Sequence, residues 1–442
     1  MNTFRMRTRP DQAAPNLPTV LLDWFPNGYG STVQVREDLT SGLTLPDPAR
    51  DLLGLTAAAY CADRITPRPT GWTREIELEF PVADRTAWDV VRLQLTETLS
   101  FLSGDAWRLE PIPLSRGDVP ATVEPAHTVD AVCLFSGGLD SFAGALDLLA
   151  DEKRICLVRH YEGGQAPKTQ VHLARRLAER FGEDRVVIRR LFLRPAPTSG
   201  DQLRPLPETR ESSTRSRSLL FLAAGLAVAA GYGPDVPLYI PENGFIGINV
   251  PLTAARAGSF STRTTHPYYM SHLASCIAGL GMTNPILNPF RLMTKGEIVA
   301  ASHDSDTVRA LAASTLSCAH PEASRYAQRD QGNCGYCFPC LIRRGSLHHV
   351  GLDDPGDYAF DALSEDAELI NERGSDLRAL IRFLCQVPRT IDVLRNGPVP
   401  DGELAAFAGV YRRGREEILA WMRAKATSDH VRGQLPSPSP SQ

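Results

Sequence analysis

Between Val129 and His349 short apolar runs alternate with helical patterns. "AVCLF" reads as a strand and "SFAGALDLLA" as a helix, and "RICLVRHY", "KTQVHLARRLAERFG" and "RVVIRRLFL" continue as strand, helix, strand. "RSRSLLFLAAGLAVAAGYG" is a helix apolar on all sides and stopped by glycine, and "PLYIPENG" is a further strand. This succession predicts an α/β fold: a doubly wound parallel sheet with helices on both faces. The grammar differs on either side. In "REIELEF", Ile76, Leu78 and Phe80 alternate with Glu75, Glu77 and Glu79, which predicts a half-buried antiparallel strand. Trp88, Val91, Leu95 and Leu102 then fall on one helical stripe. "PIPLSRGDVPATVEP" is proline-rich with few apolar anchors and reads as a linker. After Gly351 the patterns of "SEDAELINERGSDLRALIRFLCQV" and "GELAAFAGVYRRGREEILAWMRAKA" are helical, and "QLPSPSPSQ" reads as a disordered tail. The expected organisation is an α+β accessory domain over 1–125, the α/β domain over 126–350, a helical region over 351–430 and a tail over 431–442.

The chain has 442 residues, more than one ordinary core holds, which fits several domains. Composition adds little beyond that: 43% of residues are apolar and 22% charged, as in a soluble globular protein. A formal net charge of −4 gives no global grip on nucleic acid. The N-terminal residues carry no apolar core of a secretory signal, and "LLFLAAGLAVAA" is too short to span a bilayer. A cytoplasmic protein without a membrane partner is expected.

At "FSGGLDS" the first strand of the α/β region meets its helix. Backbone N–H groups at such a turn lack intrahelical partners, and the helix dipole adds positive charge, so an anion can sit there. Gly137 and Gly138 can take positive φ and admit phosphate closely. Ser136 and Ser141 can donate hydroxyls. Asp140 repels an anion by itself and makes sense beside a phosphate-bound Mg²⁺, which takes hard oxygen ligands. The bland alternative is a plain turn with a capping Ser or Asp.

Four of the 9 cysteines lie between Cys318 and Cys340. "NCGYCFPC" places Cys334, Cys337 and Cys340 at two-residue gaps, and Cys318 lies upstream. In a chain of this size without a secretory signal the cluster points to metal before disulfides, and four thiolates make a closed structural Zn²⁺ site. Redox or iron–sulfur roles are the alternatives. His320 is a substitute ligand or a surface residue.

"SGGLDS" resembles the signature loop of the PP-loop ATP pyrophosphatases, whose fold is HUP-like. That resemblance implies Ser136, Gly137, Gly138, Leu139, Asp140 and Ser141 as the ATP site. It also implies cleavage between the α and β phosphates; the Gly-Lys-Ser/Thr ending of a Walker loop is absent here. A PP-loop followed by Cys318, "CGYCFPC" and "IRR" is similar to the 7-cyano-7-deazaguanine synthases. "RSRSLLFLAAG" resembles that family's arginine-led helix, with Arg217 at the arginine position, and "NPFRLMTKGEIV" its lysine element, with Lys295 and Glu297. The likeness runs from about Val129 to Arg344. The flanking regions and the loop "PENGFIGINVPLTAARAGSFSTRTTHPYYM" depart from that pattern, and Cys318 stands farther from Cys334 than the family spacing. Long versions with an added N-terminal region occur in bacterial anti-phage operons, notably the Qat system, and this chain resembles those most.

The resemblance implies adenylation of a 7-deazaguanine carboxylate and transfer to an amine, giving an amide or nitrile. ATP, Mg²⁺ and Zn²⁺ are the implied cofactors. The amine is ammonia or a partner protein of the same defence operon. Asp140 would place Mg²⁺, Ser141 and Lys295 would serve pyrophosphate departure, and Arg217 would contact substrate or phosphate. Lys295 is otherwise an ordinary helix-start residue. Glu242 and Asn243, at the carboxyl edge of the sheet, would contact substrate; a turn-forming Glu-Asn-Gly is the alternative. Arg204 and Arg210 read as a solvated loop. Two further readings stand: a tRNA-modifying PP-loop enzyme, and an inactive nucleotide-binding subunit of a defence complex. Oligomeric state, a dimer included, is left open.

Overall fold

The computed structural model describes residues 2–9, 19–24, 32–37, 39–70, 72–114, 123–160, 165–196, 206, 210–211, 213–252, 263–328, 332–364 and 371–436. Much of the proline-rich linker, Arg204, the middle of the 241–270 loop and the last six residues lie outside these.

Two sheets carry the fold. The first contains β1 (Asn2–Arg7), β2 (Thr19–Asp23), β4 (Glu75–Val82) and β5 (Ala106–Pro113), in the order β2-β1-β4-β5. All its pairings are parallel, so "REIELEF" is a parallel strand, not the antiparallel one its alternation predicts. The alternation arises because only one face is covered. Ile76, Leu78 and Phe80 pack into the core, while Glu77 pairs with Arg108 at 3.3 Å and Glu79 with Arg5 across neighbouring strands. Helices α1 (Asp47–Ile65) and α2 (Arg85–Ser103) belong to this layer, and Trp88, Val91, Leu95 and Leu102 are buried as expected.

The second sheet contains β3 (Val33–Glu37), β6 (Ala131–Leu134), β7 (Ile155–His160), β8 (Val186–Pro195), β9 (Leu238–Tyr239) and β10 (Ile286–Leu287). Its order is β10-β9-β6-β7-β8-β3, parallel throughout except for β3 against β8. The strand after the long apolar helix is short: its last backbone bond to β10 is from Ile240 N–H to Leu287 O, and Pro241, which has no N–H, follows. Strands buried on both faces serve two cores. Val132 and Leu134 point toward α5 (Arg217–Tyr232), and Ala131, Cys133 and Phe135 toward α3 (Leu139–Ala150) and α4 (Ala166–Phe181). Gly225 lets α5 approach the sheet: a Cβ there would stand 2.6 Å from Leu134 Cδ2 and 2.7 Å from Leu238 Cδ1. Neighbouring strands run outward from β6 in opposite directions, β7 and β8 one way and β9 and β10 the other. The β6/β9 border is therefore a topological switch point, where open α/β sheets bind ligands.

Residue 125 is not a break in the packing. β3 joins the second sheet, α1 packs on α5, and one apolar cluster takes residues from both sides. A buried ion cluster reinforces this. Arg74 meets Asp63 at 2.5 Å and Asp105 at 2.6 Å, Arg68 meets Asp105 at 2.7 Å, and Asp63 Oδ2 accepts from Ser216 N (2.9 Å) and Oγ (2.7 Å). Ser216 precedes the first turn of α5, so a carboxylate of the first layer caps a helix of the second.

The chain continues with α6 (Gly244–Ile248), α7 (Pro267–Gly279), α8 (Lys295–Ala301), α9 (Ser305–Leu311) and α10 (Phe338–His349). Of the first helical pattern after Gly351, Ser375–Leu384 is a helix and 365–370 lie outside the described residues; Leu404–Lys425 forms the second and packs on α10. The expected disordered tail starts too early. Asp429–Gln434 is a short helix capped by Ser428, with Val431 fully buried against the C-terminal helices. Among the described residues no helix is long and apolar enough to cross a membrane.

Replacing Asp63 by Asn removes the charge opposite Arg74 and is expected to lower the urea unfolding free energy by about 3–5 kcal/mol, whereas a loss below about 1 kcal/mol would show that the cluster does not tie the layers together.

Candidate functional site

The β6–α3 turn opens onto a cavity of about 400 Å³ at the switch point. Gly137 has φ +82°, while Gly138 sits at φ −78° as the residue before α3, so only the first glycine needs the left-handed region. Gly138 is still constrained: it lines the cavity, and a Cβ there would stand 3.3 Å from Ser136 Oγ. Ser136 and Ser141 hydroxyls lie 3.1 Å apart, Gly138 N–H donates to Ser136 Oγ at 3.3 Å, and Leu139 N–H reaches Ser317 Oγ at 3.5 Å. These are weak or shared contacts on donors that a phosphate could take over.

Asp140 is the charged centre of the site and is 6% exposed. Lys295 Nζ donates to its Oδ1, and Asn243 donates to its Oδ2 from Nδ2 (2.6 Å) and from the backbone (3.1 Å). Lys295 occupies the first turn of α8, where the helix dipole disfavours a cation, and Asp140 explains its place there. Thr294 and Glu297 complete a capping box around it, and Glu297 also pairs with Arg413, which gives this glutamate a structural role. Asn243 is both the N-cap of α6, with Ile246 N–H donating to its Oδ1 at 2.9 Å, and the clamp on Asp140.

Glu242 lines the same cavity. Its Oε2 accepts from Thr265 Oγ1 at 2.6 Å, and its backbone is held by Asn288, whose Nδ2 donates to Glu242 O at 2.9 Å. Burial, with nearby Asp140 adding, pushes the Glu242 carboxyl up to about 7, against the lowering effect of Thr265 and Lys295.

Arg217 departs from expectation. It is exposed and does not line the cavity; its Nε donates to His160 Nδ1 at 3.2 Å. Burial, helped by that guanidinium, pushes His160 down to about 3, which keeps the ring neutral and able to accept. The cavity wall from α5 is instead Ser218, Phe221 and Leu222.

The fourth wall is remote in sequence. Leu316, Ser317, Cys318 and Ala319 line the cavity, and Leu316 N–H donates to Gly137 O at 2.9 Å. The segment is held from behind by two buried side chains. Asn333 accepts from Ser317 N–H at 3.1 Å and donates to Thr315 O at 3.0 Å; Arg343 donates to Thr315 Oγ1 at 2.6 Å. Nothing local in the sequence announces Ser317 or Asn333 as site residues.

Cys318, Cys334, Cys337 and Cys340 converge directly behind this wall, their sulfurs all within 4.8 Å of one another. The Cys318–Cys337 and Cys334–Cys340 separations are each 3.9 Å. A tetrahedron with Zn–S of ~2.3 Å has edges of about 3.8 Å, so the donor set fits zinc. Backbone N–H groups of Ala319, His320, Cys334 and Cys337 point at the sulfurs at 3.2–3.5 Å, as suits thiolates. Gly335 makes the tight turn between two of the cysteines: its φ is +90°, and a Cβ would fall 2.0 Å from Phe360 O. His320 is exposed and stacks on Tyr336, outside the sulfur cluster.

No protein-family model matches the chain, and no solved structure does. Curated relatives do. The chain is 26% identical over 251 residues to the 7-cyano-7-deazaguanine synthase of Methanothermobacter thermautotrophicus, covering 52% of this chain and 98% of that protein. It is 29% identical over 239 residues to the enzyme of the same name from Thiobacillus denitrificans, covering 52% and 98%. The Leptospira interrogans protein of that name matches at 24% over 238 residues, covering 51% and 88%. About half of this chain is thus similar to nearly the whole of several 7-cyano-7-deazaguanine synthases.

Proposed function

We propose that the chain is an ATP-dependent synthase that adenylates a 7-deazaguanine carboxylate and passes the acyl group to an amine. The observation that carries this reading is the switch-point cavity itself. Ser136, Ser141, the start of α3 and Lys295 line it together with Phe221, Leu222 and Ile240. The first group of residues suits a triphosphate and the apolar group a flat heterocycle. The relatives' shared name supplies the substrate class.

A carboxylate would have to expel oxide; an acyl adenylate expels AMP. The residues here would act by position and charge. Ser136, Ser141 and the N–H groups of Gly138 and Leu139 would hold the departing pyrophosphate. Lys295 would spread its charge between Asp140 and the phosphates. Asp140 would hold Mg²⁺, which would offset phosphate charge there, in exchange for its present contact with Lys295. Arg217, exposed and one residue before the cavity-lining Ser218, would act at most on a substrate group that projects out of the cavity. A thiol-dependent tRNA modification is less well supported, since the cysteine lining the cavity is Cys318, and it belongs to the four-sulfur cluster. We place the enzyme in the cytoplasm, in an anti-phage defence setting, with ammonia or a partner protein's amine as acceptor.

Incubation with ATP, labelled pyrophosphate and 7-carboxy-7-deazaguanine is expected to give carboxylate-dependent exchange into ATP. Absence of exchange from the folded protein would sink the adenylation reading. Asp140→Asn is expected to cut that exchange on the order of 100-fold, and, because it leaves the buried Lys295 unpaired, to lower the melting temperature as well, so exchange is compared at a temperature where circular dichroism shows the variant folded. If exchange persists at the native rate, Asp140 has no part in the phosphate chemistry.

Metal analysis is expected to find about one Zn²⁺ per chain, held by the four cysteines. Cys337→Ala is expected to release it and to lower the melting temperature, and prolonged chelation of the native protein to do the same. Pure protein free of zinc, with unchanged melting in the variant, would show that the cluster is not a metal site.

A further inference from the structure

A second cavity, of about 370 Å³, adjoins the first, and Thr265 lines both. The two meet at the Glu242–Thr265 hydrogen bond. Asn288, which clamps the Glu242 backbone, also lines the second cavity. Met270 and Phe407 make its apolar side, and it opens outward along α7, where Ser271 and Ala274 are exposed.

The polar atoms along this path are mostly acceptors. Glu403 is one wall, and the cation beside it, Arg291, is taken by that carboxylate through contacts of 2.6 and 2.8 Å. Thr265 and Ser271 supply hydroxyls, and Asn288 an amide. Beyond Thr265, in the first cavity, Glu242 accepts that hydroxyl at Oε2, and its Oε1 makes no hydrogen bond with a described residue. A carboxylate or phosphate ligand would find Arg291 already paired with Glu403 and would meet the Glu242 carboxylate past Thr265. A group rich in N–H finds the hydroxyls of Thr265 and Ser271 on the way, the Glu242 carboxylate beyond Thr265, and an apolar wall for its carbon chain.

We propose that the second cavity receives the amine substrate, and that its nitrogen enters the first cavity past Thr265 and surrenders its proton to Glu242. The proposal rests on the acyl-adenylate reading above. The nitrogen lone pair forms the bond to the acyl carbon. The bond from that carbon to the adenylate oxygen breaks, and its electron pair leaves with AMP. One N–H proton passes to Glu242 Oε1 and on to solvent. The rise of the Glu242 carboxyl toward neutrality suits such an acceptor. The path keeps the amine's entrance apart from the β6–α3 turn, where pyrophosphate would leave, so the second substrate can arrive while the first is held. Two sources share this chemistry: ammonia, which needs only the passage, and the free amino end of a peptide, which would also fill the cavity.

The test separates the two half-reactions in the full-length protein. Ala274→Phe narrows the second cavity from an exposed helix position. It is expected to leave carboxylate-dependent pyrophosphate exchange at the native rate and to raise the KM for the amine by about tenfold or more. Amide formation is measured with ammonium chloride and with a short peptide bearing a free amino terminus. A rise for the peptide alone identifies a peptide-like occupant, and a rise for both identifies a common route. Thr265→Val, which removes the hydroxyl on Glu242, is expected to slow amide formation with both amines by a larger factor than it slows exchange. Native KM values for both amines in Ala274→Phe would overturn the proposal with the adenylation reading intact. A native protein that performs no exchange would remove that reading, and this proposal with it.

Discussion

A buried carboxylate at the carboxyl end of the central strand is the constraint on which the site depends. Asp140 has almost no access to water. An isolated charge in such a place costs several kcal/mol, and a partner from elsewhere in the chain is the usual remedy. Lys295 and Asn243 fill that role, from the start of α8 and the start of α6. Three loops that follow β6, β9 and β10 are thereby drawn to one point. The cavity exists because these loops meet around a charge and not around an apolar plug.

The sulfur cluster extends the same logic to the opposite wall. Residues 315–319 have little apolar material of their own, and among them only Thr315 is buried. They are held by Cys318 in the cluster, by Asn333 and by Arg343, and in turn hold the glycine turn through Leu316. A tetrahedral ion here would act at a distance from any reacting atom. It would stiffen the wall against which phosphate-binding groups are arrayed, which is the work of closed zinc sites.

The first sheet enters the site indirectly. Asp63 caps α5 through Ser216, and the next turn of α5 presents Ser218, Phe221 and Leu222 to the cavity. Residues before 125 therefore bear on the substrate bed through one helix, and the added N-terminal layer is packed into the ligand-binding half. Linker-like composition near residue 115 reported local chain chemistry, but the packing around it is set by α1 on α5 and β3 on β8.

Legibility followed sequence distance. The β6–α3 turn and the three clustered cysteines are local, since their chemistry is written within a few consecutive residues. The α/β alternation is local too, because strand and helix periodicities need only neighbours. "REIELEF" was readable as a half-covered strand and misread as antiparallel, because alternation reports which face is buried and not the direction of the neighbour. Val431 was unreadable as core because one apolar residue in a polar tail shows no period; a pocket among the C-terminal helices receives it.

By itself the sequence determined the elements, the phosphate-facing turn and the metal-type cysteine spacing, each a matter of short-range geometry. Only the tertiary structure decided which residues complete them. It paired Asp140 with a lysine 155 positions away and brought Ser317 to Leu139 across 178. It turned Arg217 away to His160 and joined two cavities at Glu242 and Thr265. Such partners are selected by the energy of burying charge and polar groups together, which no local pattern records.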